Sequence, residues 1–309
     1  MFSAQQGRKM MRDECSERDW LREETVRLLS RHLPKSGDYP GPVAGMTIYR
    51  RDASERVTGC IYGAQIIAIV QGRKRALVAG QRVAYGAGQY LLTGVDLPAQ
   101  ARAVEVEAGR PFFSMLIALD KALLDQLLME TDNCHMPEAE QTALGVAEAD
   151  VRMWRVFHSL AELFENPQDV PVIAPLCLKA LHYRLLTGPL GGQLRQLYLP
   201  GTTSRHIAGA IAWLRQNFTA PLRISDLAQR VNLSESMLFR QFKKVTSLTP
   251  LQFQKQLRLQ EAQRLMITEH MDANTASLSV GYESPHQFSR EYKRFFGQPP
   301  LRDANQWRA

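Results

Sequence analysis

Two segments fifty residues apart copy one another, and this duplication limits what the C-terminal third can fold into more than any other feature. Ser234–Lys243 reads SESMLFRQFK and Ser284–Lys293 reads SPHQFSREYK, so Ser, an apolar residue, Arg, an aromatic and Lys recur at matching positions. Each opens on a serine suited to cap a helix; Ser284 also has Pro285 in the first helical position and Gln287 three residues on, the pattern of a capping box. Leu238, Phe242 and Val245 fall at i, i+4, i+7 and make an apolar face, while Ser236, Arg240 and Lys243 repeat that spacing on nearly the opposite side. Phe288, Tyr292 and Phe295 stand against His286, Arg290 and Lys293 in the same way.

Upstream, Ile224, Leu227, Ala228 and Val231 precede an Asn232-Leu233 turn, and Ala276, Leu278 and Val280 precede Gly281-Tyr282, where glycine admits the left-handed conformation. Helix-turn-helix units are therefore expected at about 224–246 and 273–296, each with a second helix able to enter a major groove. Between them Thr249-Pro250, with Gln252 closing a capping box, starts a helix running to about Ile267. Its roughly 18 residues at ~1.5 Å each give a rod of about 27 Å. That is close to the ~34 Å between successive major grooves.

Charge agrees with this placement. Residues 205–309 hold 15 Lys and Arg against 8 Asp and Glu, whereas residues 1–204 hold 23 of each, so the whole excess of +7 lies in the C-terminal third. A segregated basic domain is the footprint of nucleic-acid binding, although an acidic protein or anionic lipid would also answer to it.

The rest of the chain reads as a different architecture. Trp20–His32 is expected to form a short amphipathic helix, stopped by Pro34, Gly37, Pro40, Gly41 and Pro42. From Met46 to Leu119, short apolar stretches at Thr47–Tyr49, Ile66–Val70, Arg75–Val78, Gln89–Thr93, Ala103–Val106 and Phe112–Leu119 are punctuated by glycines at hairpin intervals. An antiparallel barrel or jelly roll follows. Beyond Asp120 the period turns helical, with stripes at Leu123, Leu124, Leu127, Leu128 and at Val151, Trp154, Phe157, Leu160, Ala161, Phe164, then a run from Ile173 to Leu186. Such helices either cover the barrel or pair with a second copy of the chain. The expected divisions are a helical segment at 1–39, a β-domain at 40–120, a helical region and linker at 121–200, and the DNA-binding domain at 201–309, with the boundary near Gly201.

Leu227-Ala228, Ser234, Leu238, Arg240-Gln241-Phe242-Lys243, Pro250, Arg258-Leu259, Ala262, Val280-Gly281-Tyr282-Glu283-Ser284-Pro285, Gln287-Phe288-Ser289-Arg290 and Phe295-Phe296-Gly297-Gln298-Pro299-Pro300 resemble the DNA-binding domain of the AraC/XylS family of transcription regulators, in that family's order. Ser247 departs from it where a C-capping glycine is usual, and so do Thr275 and Ser277 flanking Ala276. Pro40-Gly41, Tyr49-Arg50, Tyr62, Gln71-Gly72-Arg73-Lys74-Arg75, Tyr85, Gly88-Gln89-Tyr90-Leu91, Asp96-Leu97-Pro98, Pro111 and Leu119-Asp120 are similar to the N-terminal domain of one AraC subgroup. The resemblance implies an α+β protein: an N-terminal cupin-like β-barrel with following helices, then an all-α domain of two helix-turn-helix units joined by a long helix. It implies double-stranded promoter DNA as partner, a small-molecule effector, RNA polymerase if the protein activates, and a homodimer. Some relatives carry Pro and Cys where this chain has Ala64 and Ile67, so sensing through that cysteine does not carry over.

Arg240 and Arg290 are the first candidates for base contacts, since arginine donates two bonds to guanine; phosphate or intradomain contacts are the competing reading. Ser236, Phe239, Pro285, His286 and Gln287 occupy the early turns, and Lys243, Lys244, Lys293 and Arg294 are placed to meet phosphates. No His lies between His32 and His135, which argues against a cupin-type metal centre, and no cofactor is expected. A metal-free cupin-type enzyme with a basic accessory domain is the alternative. Gln71–Arg75 either presents cations to an anionic effector or forms a solvated hairpin, and Cys60, beside Ile61, is expected to be buried and inert. Cys15, Cys60, Cys134 and Cys177 suggest neither disulfides nor zinc, His135, His158, His182, His206 and His270 are scattered, and no signal peptide or membrane span is read, so a cytoplasmic setting is expected.

Overall fold

A computed structural model describes residues 4–54, 58–103, 106, 109–131 and 142–308; Cys134, His135 and residues 104 and 105 of one expected strand lie outside the described residues. The first helix, α1 (Ala4–His32), begins well before Trp20, because no proline interrupts the upstream stretch, and it ends ahead of Pro34. Leu21, Leu28 and Leu29 are its buried face, while Trp20 stays 55% exposed.

Among the described residues ten antiparallel strands follow: β1 (Gly37–Pro40), β2 (Met46–Arg51), β3 (Thr58–Tyr62), β4 (Gln65–Gln71), β5 (Arg73–Val78), β6 (Gln81–Gly86), β7 (Gln89–Thr93), β8 (Leu97–Ala103), β9 (Phe112–Ala118) and, after α2 (Lys121–Glu130), β10 (Leu144–Glu148). They form two sheets, β1-β2-β9-β4-β7-β10 and β3-β8-β5-β6. β4 lies between β9 and β7, and the unbroken burial of Gln65–Val70 fits a strand covered on both faces. The strands that sequence patterning passes over, β1, β3, β6 and β8, are short or rich in Ala, Gly and Pro, so they alternate weakly. β10 adds a strand within 121–200, the stretch expected as a helical region and linker, for Leu144–Glu148 pairs with β7 from Thr93 to Gln89.

The remaining helices are α3 (Val151–Glu162), α4 (Val170–Thr187), α5 (Gly191–Tyr198), α6 (Thr203–Asn217), α7 (Ile224–Arg230), α8 (Glu235–Thr246), α9 (Pro250–Thr268), α10 (Ala273–Ser279), α11 (Pro285–Phe296) and α12 (Pro300–Arg308). α3 packs on α1. α5 covers the sandwich where two glycines make room: a Cβ at Gly94 would meet Leu197 at 2.3 Å, and one at Gly145 would meet Leu190 at 2.7 Å. α4 buries Cys177, Leu181 and Leu185 but leaves Val172, Leu176 and Tyr183 outward. His182 on its inner side accepts the Asp120 N–H at Nε2 (2.8 Å) and reaches the Leu178 carbonyl through Nδ1 (2.7 Å), and burial lowers its pKa.

One apolar core runs from the sandwich through the helices into α7, α8 and the start of α9. A second, separate core holds the later half of α9 with α10, α11 and α12. The overall architecture is mixed α+β, an N-terminal part built on antiparallel strands followed by a helical C-terminal part.

Candidate nucleic-acid interface

α7 with α8, and α10 with α11, are two helix-turn-helix units on either end of α9. Each turn contains one left-handed residue, Asn232 (φ 53°) in the first and Gly281 (φ 89°) in the second. Ser234 Oγ accepts the Met237 N–H and Ser284 Oγ accepts the Gln287 N–H, both at 3.3 Å, so both recognition helices are capped as their sequences require. The capping box at Thr249 is complete, with Gln252 returning a bond to the Thr249 N–H at 3.0 Å. The one expected at Ser284 is not: the Gln287 amide donates instead to Glu291 at 3.1 Å.

The faces separate as the spacing demands. Leu238, Phe242, Val245, Phe288 and Tyr292 are buried, and Phe295 is half-buried. Of the eleven residues assigned to DNA, Ser236, Phe239, Arg240, Lys243 and Lys244 on α8 and His286, Gln287, Arg290, Lys293 and Arg294 on α11 are exposed, while Pro285 is half-buried at the start of its helix. Each helix thus presents three cations on its free side, with the last-turn pair also facing the negative end of its own dipole. Phe239 is 40% exposed, a large apolar side chain left partly open to solvent on α8. Arg240 is steadied by a 3.1 Å contact from its guanidinium to Met237 Sδ.

Interior polar side chains hold the units in place, and neither periodicity nor motif pointed to their partners. Arg258 donates to the Phe218, Thr219 and Ala220 carbonyls and, at 2.7 Å, to Gly281 O, tying the α6–α7 loop to the second turn. Buried Gln254 reaches the same loop. Glu291 accepts from Lys255, Gln287 and Tyr282; burial opposes its charge, but these donors outweigh that and hold its carboxyl below the usual carboxylate range.

The four-stranded sheet grips the C-terminal ends of both recognition helices. Gln100 Nε2 donates to the Phe295 carbonyl at 3.0 Å, and Gln81 Nε2 donates to Ser247 Oγ at 2.5 Å. The Ala143 N–H meets the Val245 carbonyl at 3.0 Å. Gln260 Nε2 on α9 donates to Ala99 O at 2.9 Å, Gln263 Oε1 accepts the Gly59 N–H at 3.3 Å, and Arg215 pairs with Asp96 at 2.9 Å. Ser247 caps α8 in the left-handed conformation (φ 62°), where α11 uses Gly297 (φ 82°). The serine therefore bears strain that glycine would avoid and gains the bond to Gln81. We expect Ser247→Gly to unfold in urea about 1–2 kcal/mol later than Ser247→Ala, because both lose the bond and only alanine keeps the strain.

Residues 42–193 match the family model of the AraC-type transcriptional regulator N-terminus, and residues 227–306 match that of a helix-turn-helix domain. The chain belongs to the AraC family of transcription regulators. Among relatives in this family, the HTH-type transcriptional regulator ArgR of Pseudomonas aeruginosa is 32% identical over 108 residues, 35% of this chain and 33% of that protein. The HTH-type transcriptional activator RhaS of Pectobacterium carotovorum is 27% identical over 143 residues, 46% of this chain and 50% of that one. The chain thus spans between a third and a half of the length of these relatives. ToxT of Vibrio cholerae, solved with (E)-4-(8-methylnaphthalen-1-yl)but-3-enoic acid, matches over 85% of this chain and 98% of its own with a TM-score of 0.54 at 12% identity, a likeness of fold.

Proposed function

We propose that this AraC-family chain binds a specific site on double-stranded promoter DNA in the cytoplasm, with α8 and α11 entering adjacent major grooves, and that a small molecule in the β-sandwich controls it. The observation that carries the reading is the duplicated recognition helix: two capped helices, each with three exposed cations opposite a buried apolar face, joined by a rod whose 19 residues span about 28 Å. A metal-free cupin-type enzyme needs no such pair, and the named relatives are regulators. Control by an effector is supported by the bonds from the four-stranded sheet to Ser247 and Phe295, because a shift of that sheet would move both recognition helices. It is supported also by ToxT, whose structure was solved with an unsaturated fatty acid bound. RNA polymerase is the further partner if the protein activates.

Selection of sites from random duplex DNA by the full chain tests the reading. Two informative blocks about one helical turn apart support it; enrichment of nothing, with salt-sensitive binding to any sequence, removes it.

A homodimer through α4 belongs to the same proposal. Val172 (66% exposed), Leu176 (63%) and Tyr183 (38%) lie along one outward helical face, a surface suited to packing against its own copy. Leu176→Glu is expected to convert a dimer to a monomer in light scattering with no loss of melting temperature. A wild-type monomer at micromolar concentration would eliminate this part.

A further inference from the structure

We infer that the β-domain itself takes part in binding DNA: Arg75, Arg82 and Arg102, on the outer face of the four-stranded sheet, hold duplex phosphates beside the stretch read by α8 and α11. The inference rests on the proposal that those two helices enter major grooves, and it adds a second, sequence-independent surface to theirs.

Residues 1–204 carry 23 cations and 23 anions, so composition hides any basic surface there. Strand pairing gathers one. β5 buries Ala76 and Val78 and turns Arg75 and Leu77 to the other face. Register then sets Arg75 opposite Arg102 on β8 and Ala84 on β6, and sets Leu77 opposite Gln100 and Arg82. Neighbours in a row lie ~4.8 Å apart, and the two rows about 7 Å apart along the strands. All three arginines are exposed, and with Leu77 and Gln100 they line one open hollow of about 300 Å³.

Like charges directly opposite one another destabilise a sheet, so the facing pair Arg75 and Arg102 is a cost to the fold. Arg50 and Arg51 on the other sheet are paired with Asp52 and Asp38. Arg75, Arg82 and Arg102 have no such partner among the described residues. Three guanidinium groups converging without a carboxylate call for an occupant with several negative charges in succession. What adjoins the hollow favours a duplex over other polyanions. Gln100, in its wall, donates to the Phe295 carbonyl at 3.0 Å, in the turn of α11 that carries exposed Lys293 and Arg294. Gln81, beside Arg82, donates to Ser247 Oγ at the end of α8, just past exposed Lys243 and Lys244. The sheet thus abuts the ends of both recognition helices where their phosphate-directed cations lie, and the three arginines continue that positive surface.

The test measures affinity against salt for the full chain on the selected site, in a duplex cut to the two blocks and in one extended by about a helical turn at each end. The parent should show the steeper salt slope on the extended duplex. The triple variant Arg75→Gln, Arg82→Gln, Arg102→Gln should lower that slope by about two to three, close to one per lost phosphate contact, and remove the advantage of the longer duplex. It should keep its preference for the selected blocks and melt no earlier than the parent, since the changes relieve like-charge repulsion. Arg27→Gln, Arg152→Gln, Arg155→Gln removes as much charge from exposed positions on α1 and α3, helices that pack on each other, with α1 also against β4 of the six-stranded sheet, and should leave the slope in place. An unchanged slope in the first variant, as expected if the arginines meet an acidic protein instead, would overturn the inference. So would an equal fall in both variants, which would reflect net charge alone. If the parent selects two blocks and the arginine changes do nothing, this inference falls and the regulator stands. If the parent selects none, both fall.

Discussion

Gly281→Ala will disable the second helix-turn-helix unit at a cost of about 2–5 kcal/mol, the sum of left-handed backbone strain in a residue with a side chain and of overpacking. The turn residue has φ 89°, and a Cβ there would fall 2.1 Å from the Thr219 carbonyl oxygen and 2.9 Å from its carbon. Those are backbone atoms, so no rotamer change relieves the clash. They also belong to the loop that Arg258 binds together with Gly281 O, so relief by moving the loop breaks the bonds that hold α10 and α11 to α6. Because the second unit has its own core, the damage is expected to stay local. Melting should show a new, earlier transition for that unit, and site selection should return one block where the parent returns two. Gly281→Asn separates the causes: asparagine tolerates the left-handed region but brings the same Cβ, so it should fail almost as badly as alanine. Asn232→Gly at the matching turn of the first unit should cost little. A Gly281→Ala chain that melts as the parent does would show that the loop yields freely.

The two turns show why part of this architecture is legible in the sequence. Helix starts depend on one side chain and the next three backbone positions, so Ser234, Thr249 and Ser284 announce them locally. Buried and exposed faces follow from spacing alone, which is how Phe242 and Arg240 come to lie on opposite sides of α8. The sandwich is less visible. β8 reads LPAQARA, with a proline and three alanines and no strong alternation, and it is a strand because β3 and β5 flank it. β10 is isolated among helices in the sequence and becomes a strand through pairing with β7, a contact across more than fifty residues. Gln287 fits a local capping box, yet a carboxylate four residues on takes its amide. Gln81, Gln100 and Gln260 are unremarkable strand and helix positions whose partners lie more than 150 residues away. Lys74 is a similar case, since a charge at a hairpin reads as solvated until the register places it above Tyr49 and Tyr62.

The second large effect is expected on DNA. Arg240→Ala and Arg290→Ala should each cost about 1–3 kcal/mol at the selected site and relax sequence preference in separate blocks, because each arginine serves a different groove. α8 packs in the core continuous with the sandwich and α11 in the second core, at opposite ends of α9, so the two changes share no packing and should add. The double variant should then lose about 2–6 kcal/mol, enough to bring the site toward the affinity of unrelated DNA. Lys243→Ala and Lys293→Ala provide the contrast. As phosphate contacts they should weaken all sequences alike and reduce the slope of log affinity against log salt by about one each, leaving preference intact. Anisotropy titrations of each variant against the selected duplex and a scrambled one, at several salt concentrations, separate these outcomes. If the arginine variants weaken both duplexes equally and flatten the salt slope, Arg240 and Arg290 hold phosphates, and base reading passes to Ser236, Phe239, His286 and Gln287, the other exposed groups of the early turns.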